Sequence, residues 1–258
     1  TGPDSGPGRL PEPEDLYATA TALLADPALA ARLAAQDLAG LKVAVSAGGT
    51  HEALDPVRFL GNASSGLMGI GIARAAVQRG AEVTLVGANL VNATPAGVEV
   101  VGARSTAELA AAMEQVAADA DIVVMAAAPA DFTPARPSGT KLKKTGDAGL
   151  VVEFVQTADV LAGLSAHRRP GQVVVGFAAE TADGREDLVA LGTAKLARKG
   201  CQLLVLNDVS GGAVFGDHDN SVTIIGASGV VATAEGPKTS VGHVILDAAL
   251  SIREGERR

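Results

Sequence analysis

From Lys42 onward, short apolar runs alternate with stretches of helical spacing. Val43–Ala47, Val83–Val86, Val98–Val101, Ile122–Met125, Val173–Phe177 and Leu203–Leu206 predict strands. Between them, Gly66–Arg79 carries Ile70, Ala73 and Val77 on one face and stops at Gly80, which predicts a helix. The same spacing predicts helices over Thr106–Ala118, Ala158–His167, Glu186–Lys199 and Thr239–Ile252. Val151–Val155 alternates as an extended segment, and Val222–Ile225 with Val230–Ala232 reads as a hairpin across Ala227-Ser228-Gly229. Strands that are apolar throughout and separated by helices predict an α/β fold with a mostly parallel sheet, covered on both faces.

The first 40 residues have a different texture. Thr1–Pro13 (TGPDSGPGRLPEP) is rich in Gly and Pro and reads as a linker. It has neither the basic start nor the apolar centre of a signal peptide, and it lacks an initiator Met, so either a piece of a longer polypeptide or a processed chain is expected. Glu14–Leu38 spaces its leucines helically and breaks at Pro27, which predicts two short helices. The expected organisation is a linker over 1–13, a helical segment over 14–40 and one catalytic domain over 41–258.

Composition narrows the function. With 258 residues and 47% hydrophobic side chains, the chain is long enough to bury roughly 70–75% of its unfolded surface. No 18-residue run is free of charges and Gly/Pro breaks, so no membrane span is expected. A single cysteine, Cys201, excludes an internal disulfide framework and suits a reducing cytoplasm. Five Phe, one Tyr and no Trp argue against single-stranded nucleic-acid platforms, and a net charge of −8 argues against a general polyanion surface. The 31 glycines instead point to close backbone approaches.

In a parallel sheet, ligands sit beyond the carboxyl ends of strands, and four such ends carry unusual residues. After Ala47 come Gly48-Gly49-Thr50 and then Gly61-Asn62-Ala63-Ser64-Ser65-Gly66, which suits either an anion cradle or a helix capped by serines. Gly61 and Gly66 have Walker A spacing, but Leu67-Met68 replaces the Lys-Ser/Thr. After Met125 come small residues and Asp131, suited to a flat ring with a metal or a donor beside it. Lys141, Lys143 and Lys144 follow within a Pro/Gly-rich stretch that reads as a flexible flap. After Val173–Phe177 come Glu180 and the i, i+4 pair Lys195 and Lys199 on one helix face. After Leu206, Asn207-Asp208-Val209-Ser210 reads as turn chemistry. His51, His167, His218 and His243 are scattered and read as structural.

Taken together, Asp55-Pro56-Val57-Arg58-Phe59, Asn62-Ala63-Ser64-Ser65-Gly66, Ala127-Ala128-Pro129-Ala130-Asp131-Phe132, Lys141-x-Lys-Lys, Val175-Gly176-Phe177-Ala178-Ala179-Glu180-Thr181 and Asn207-Asp208-Val209 resemble bacterial phosphopantothenoylcysteine synthetases. The resemblance runs in order from about Lys42 to the C-terminus. It implies a Rossmann-like three-layer αβα sandwich with a lysine flap and a C-terminal hairpin. It also implies a CTP-dependent ligase in coenzyme A synthesis, joining 4′-phosphopantothenate to L-cysteine through an acyl-cytidylate and using Mg²⁺. Carried over by position, Asn62 holds the acyl intermediate and Lys141 reaches the triphosphate. Ala127, Ala128, Asp131 and Phe177 form the cytidine pocket, joined by Ala158, Asp159, Val160 and Leu161 and by Lys195 and Lys199. Asp131 is the implied metal ligand, and Arg58, Asn62, Ser64, Ser65 and Gly66 the implied substrate contacts. A homodimer and fusion to an N-terminal flavin-dependent decarboxylase are also implied. Leu67, Pro129, Thr133 and Ala158 depart from the family's usual lysine, valine, arginine and proline.

Two other functions fit part of the pattern. An NAD(P)-binding oxidoreductase would share the sheet, but no G-x-G-x-x-G follows the first strand and the only tyrosine is Tyr17. A non-catalytic nucleotide-binding module would not need Asn62, Asp131 and Lys141 together.

Overall fold

The computed structural model describes residues 13–26, 28–144, 149–208 and 219–256. The expected linker lies outside the described residues except Pro13, which opens α1 (Pro13–Ala25) as its first residue. That position suits proline, whose missing N–H has no intrahelical role there. After Pro27, which is outside the described residues, α2 (Leu29–Ala35) follows, so the two expected N-terminal helices form.

Eight strands make the main sheet: β1 (Lys42–Gly48), β4 (Glu82–Ala88), β5 (Val98–Ala103), β6 (Ile122–Met125), β9 (Val173–Glu180), β10 (Leu203–Asp208), β11 (Asp219–Gly226) and β12 (Gly229–Pro237). Their order is β12-β11-β10-β9-β6-β1-β4-β5. All neighbours pair in parallel except at the C-terminal hairpin, where β11 runs against both β10 and β12. Gly226 pairs with Gly229, so the expected hairpin turn narrows to Ala227-Ser228.

Alternation along each strand fills both faces. Val43, Val45 and Ala47 join one core cluster, with α3 (Leu67–Gln78) and α7 (Lys238–Glu256) packed above it. Ala44, Val123, Val174, Leu204 and Leu206 join the other, under α4 (Thr106–Ala117), α5 (Val160–Ala166) and α6 (Arg185–Lys199). A period of two with both faces apolar is what a strand between two helical layers requires. The expected three-layer α/β sandwich is the observed one.

Four short strands lie outside the main sheet, and the first three of them in chain order were not expected. β2 (His51–Ala53) pairs with β3 (Phe59–Gly61), and β7 (Phe132–Pro134) pairs with β8 (Phe154–Gln156), each as a separate antiparallel ribbon. Of the expected extended segment Val151–Val155, only its end joins a strand. Phe59, Leu60, Phe132, Phe154 and Val155 on these ribbons are exposed.

One charged group ties the N-terminal segment to the sandwich. Arg79, which caps the C-terminus of α3, is fully buried. Its guanidinium grips Asp37 through Nε (2.8 Å) and Nη2 (2.7 Å), reaches Asp247 on α7 (2.8 Å) and donates to the His243 carbonyl (3.2 Å). A buried fork this well satisfied is costly to break, because removing one partner strands the others. The His243 ring lies beside it, buried, with neither ring nitrogen hydrogen-bonded. Burial, reinforced by the Arg79 and Arg32 charges against the weaker pull of Asp26 and Asp37, lowers its pKa to about 4.

A folded-state pKa below the unfolded value means that only the unfolded chain takes a proton as pH falls from the ordinary histidine range. His243 therefore contributes stability in full above that range and loses it on acidification. Urea midpoints should report a loss of about 2 kcal/mol between pH 7.5 and pH 5 that is absent in His243→Phe. An identical pH slope in wild type and variant would contradict this.

Candidate active site

The sheet reverses its winding at β1: α3 leads to β4 on one side, while β6 lies on the other. At this switch point the carboxyl ends of β1 and β6 continue past the sheet through a parallel bridge, Gly49 with Ala128. Ala128 N donates to the Gly48 carbonyl (2.8 Å) and Thr50 N to the Ala128 carbonyl (3.3 Å). Buried hydroxyls hold the two ends in register. Ser46 Oγ accepts from Ala127 N (3.0 Å), Thr50 Oγ1 accepts from Ala130 N (2.8 Å), and Thr50 meets the Thr106 hydroxyl (2.9 Å).

Above these ends lies a cleft of about 720 Å³. Asn62, Ser64, Ser65 and Gly66 line it from the β3–α3 loop; Ala127, Ala128 and Asp131 from the end of β6; Ala158, Asp159, Val160 and Leu161 from the start of α5; Phe177 from β9; Lys195 and Lys199 from α6. Five separate stretches of chain meet in one space. Asn62 donates its amide to the Pro129 carbonyl (2.8 Å), which places it across the cleft mouth from the β1 side to the β6 side. Phe177 is half-buried, lines the cleft and packs against the core cluster under α3 and α7, and Leu161 lies against the backbone of neighbouring Gly176.

The electrostatics are local. The lining holds four cations, Lys195, Arg198, Lys199 and Lys238, against two carboxylates, Asp131 and Asp159, in a chain of net charge −8. Lys195 is ion-paired with Glu180, and Lys199 with Asp159. Asp159 also caps α5 by accepting from Ala162 N (3.1 Å). Partial burial pushes its carboxyl up, but the Lys199 ammonium and the cap outweigh this and hold it below its ordinary value. Of the two readings of this loop, the helix capped by serines does not form at α3. Gly66 is the N-cap, in a left-handed conformation with φ of 73° and no side-chain cap, while Ser64 Oγ accepts from Gly66 N (3.3 Å).

Two of the expected site residues are not in the cleft lining. Arg58 is engaged with Asp55, donating through Nε (2.9 Å) and Nη2, and donates further to the Leu142 carbonyl (2.7 Å). Asp55 is buried and also accepts from Val57 N (2.8 Å), Arg58 N (2.9 Å) and Leu142 N (3.1 Å). The Arg58 guanidinium first, and these backbone donors with it, hold the Asp55 carboxyl far below the ordinary carboxylate range. Lys141 is exposed on the loop that this pair fastens. The loop is therefore latched at Leu142 and at Ser138, whose N–H donates to the Leu54 carbonyl (2.9 Å). Residues 145–148 of the expected flap lie outside the described residues.

Asp131 is exposed at the rim, and no group of three or more His, Cys, Asp or Glu side chains able to hold a metal occurs among the described residues. A lone carboxylate suits Mg²⁺ that arrives on a phosphate and keeps most of its water. His51 stacks on Phe59 (3.6 Å between centroids), His167 meets the Gly163 carbonyl (3.0 Å), and neither lines the cleft. His218 lies outside the described residues, as do Val209 and Ser210 of the expected turn. Lys238 and Arg198, which belong to no sequence motif, also line the cleft, as do Asn220 and Met68. The one sequence signal for Lys238 was its place at the start of a helix, where lysine is unfavourable.

Residues 38–252 match the model of the DNA/pantothenate metabolism flavoprotein C-terminal domain. The chain is 45% identical over 265 residues to the coenzyme A biosynthesis bifunctional protein CoaBC of Mycobacterium tuberculosis, covering 99% of this chain and 62% of that protein. It is 40% identical over 259 residues to the protein of the same name from Bacillus subtilis, covering 98% and 60%. The crystal structure of the C-terminal domain of a CoaBC protein overlays with a TM-score of 0.67 at 32% identity, over 85% of this chain and 97% of that one. A Cab2 structure in complex with phosphopantothenate-cysteine shares the fold (TM-score 0.68, 15% identity, 96% of each chain). The chain spans about three fifths of the length of the curated relatives it matches.

The latch makes a direct prediction. Asp55→Asn keeps the shape but removes the charge that Arg58 and Leu142 N depend on. Trypsin should cut after Lys141, Lys143 or Lys144 at least fivefold faster in this variant, at a temperature well below the melting points of both proteins. Equal cutting rates would mean that Asp55 does not fasten the loop.

Proposed function

The chain belongs to the family of the DNA/pantothenate metabolism flavoprotein C-terminal domain, and on that premise we propose that it ligates 4′-phosphopantothenate to L-cysteine at the expense of CTP. The observation that carries this is the convergence of Asn62, Asp131, Ala158–Leu161, Phe177, Lys195 and Lys199 on one cleft at the switch point of the sheet. Their spacing in sequence gives no local reason for them to meet.

A carboxylate is a poor electrophile because oxide is a poor leaving group, so it must first be activated. In the first step the carboxylate oxygen of phosphopantothenate attacks the α-phosphorus of CTP. The bond to the bridging oxygen breaks and pyrophosphate leaves. In the second, the cysteine amine attacks the acyl carbon of the mixed anhydride, CMP departs, and the amine loses a proton. Both steps bring anions together, and positioned positive charge is the main catalytic resource for such chemistry. Lys195 and Lys199 supply it from one face of α6, held at fixed height by Glu180 and Asp159. Phe177 and the small residues Ala127 and Ala128 leave a flat space for the cytosine. The Asn62 amide, already aimed at a carbonyl, is suited to an acyl oxygen. Mg²⁺, carried on the triphosphate beside Asp131, would supply further charge neutralisation.

A homodimer belongs to the same proposal. Phe59, Leu60, Phe132, Phe154 and Val155 expose apolar surface on two ribbons that are each too small to be stable alone, and a second copy would cover it. Lys141 then serves once its loop leaves the latch, or across that interface. Partnership with a flavin-dependent decarboxylase domain, and a cytoplasmic location, complete the proposal. Among the described residues no helix is long and apolar enough to cross a membrane.

Pyrophosphate release tests it. CTP with phosphopantothenate should yield pyrophosphate, and added cysteine should yield CMP and the amide product. Lys141→Gln should slow release by about tenfold or more, since one removed charge at a transferring phosphoryl group costs on that order. No pyrophosphate from the wild-type chain would overturn the proposed reaction, and an unchanged rate in the variant would remove Lys141 from it.

A further inference from the structure

The two carboxylates of the cleft lining are held in different ways. Asp159 is ion-paired with Lys199, whereas the exposed Asp131 side chain makes no hydrogen bond or ion pair among the described residues. What places Asp131 is therefore its backbone. Ala130 before it is buried, and its N–H donates to Thr50 Oγ1 (2.8 Å). The Ala130 carbonyl accepts from Thr157 Oγ1 (2.7 Å) and from Thr106 Oγ1 (3.3 Å). The Asp131 carbonyl accepts from Thr157 N (3.0 Å). Three successive planar peptide groups are thus pinned, and the Asp131 Cα lies between the second and the third.

The pins form a closed ring. The Thr50 and Thr106 hydroxyls are 2.9 Å apart, and each has one proton to donate. The Thr106 proton points at the Ala130 carbonyl, so the Thr50 proton lies between the two hydroxyls. Ala130 N–H therefore donates to Thr50, Thr50 to Thr106, and Thr106 back to the Ala130 carbonyl. Buried hydrogen bonds that run in one direction strengthen one another, and both threonines are buried. Behind the ring, the buried Glu52 carboxylate accepts from Thr106 N (2.7 Å) at the first residue of α4, where a helix favours negative charge. None of Thr50, Glu52 and Thr106 lines the cleft, and the three come from separate elements.

We infer that Thr50, Thr106 and Thr157, with Glu52 behind them, are positioning residues that act through Asp131: they clamp Ala130 and so set where the Asp131 carboxylate stands against the nucleotide. This rests on the cleft being the nucleotide-activating site proposed above. Asp131 is short, and on a fixed Cα its oxygens have only two side-chain torsions left to explore. Thr50 and Thr106 do this without touching a reactant. Opening the ring frees the Ala130 peptide groups and lets the carboxylate drift, and a small misplacement beside a reacting phosphoryl group is costly.

A double-mutant cycle on the full chain, read as kcat/KM for CTP in pyrophosphate release, separates this role from a merely structural one. Thr106→Val keeps the shape and opens the ring. With Asp131 present it should lower kcat/KM about fivefold or more, on the order of one lost hydrogen bond. In an Asp131→Asn chain the same change should cost less than about twofold, because two changes that act through one group are not additive. Thr106→Ser keeps the hydroxyl and should stay within about twofold of wild type. An equal fold loss in both backgrounds would overturn the inference, and so would wild-type activity in Asp131→Asn or in Thr106→Val. Should Thr106→Val fail to fold, Thr157→Val, at a half-buried position, carries the same cycle with an expected effect of about threefold. Should Asp131→Asn be inert, calorimetric affinity for CTP replaces the rate. If the wild-type chain releases no pyrophosphate, the proposed reaction fails and hydrogen exchange decides the clamp. Exchange over residues 128–132 should then quicken about tenfold or more in Thr106→Val and not in Thr106→Ser, and equal exchange in all three chains would overturn it.

Discussion

The candidate site depends on a backbone contact that leaves no room for side chains. A Cβ on Gly69 would stand 2.5 Å from the Ala47 methyl and 2.6 Å from the Ser46 carbonyl, so the first turn of α3 lies directly on the end of β1. Gly48 at that strand end has φ of 90°, and a Cβ there would stand 2.0 Å from the Ala88 carbonyl oxygen. Neither contact tolerates even alanine without displacing backbone. Because α3 sits this low, its N-terminus opens at strand level, beside Ala127 and Ala128, and not above the sheet. The same helix carries Gly71, against which the start of α7 is packed, so one set of glycines sets the height of two helix starts around the cleft.

Charge is distributed to match. The protein as a whole is acidic, yet the cleft lining has more cations than carboxylates. Two of those cations are held by carboxylates, Glu180 and Asp159, which fixes their positions at some cost in net positive charge. An acidic exterior with a positive cleft disfavours extended polyanions while admitting a small phosphorylated ligand. The fully buried Arg79 does unrelated work: it joins Asp37, Asp247 and the His243 carbonyl and so fastens the N-terminal segment to α3 and α7.

Much of this was legible in the sequence, and the gaps have physical causes. Period and flanking glycines identify β1, β4, β6, β9 and β10 and the seven helices of the described residues, because a strand buried on both faces or a helix with a marked apolar side leaves a long signal. The ribbons β2–β3 and β7–β8 have strands of three residues, too short for any period to show, and β3 and β8 are exposed throughout. Asn62 and Asp131 stood out because each follows a predicted strand end, and Phe177 because it ends one. Lys238 and Asn220 did not, since they reach the cleft from a hairpin strand and from a helix that closes the chain. Arg58 and Asp55 were visible as a motif, but their latch on Leu142 spans 84 and 87 positions, and no local pattern encodes such a pairing.

The proposed reaction stands or falls on one event in this cleft, activation of a carboxylate by transfer of a nucleotidyl group. Phosphopantothenate labelled with ¹⁸O in its carboxyl group tests it most directly, because the attacking oxygen becomes part of the nucleotide. Mass spectrometry of the CMP formed in the presence of cysteine should find one ¹⁸O in its phosphate. Unlabelled CMP, or amide product formed without CMP, would contradict nucleotidyl transfer to the carboxylate.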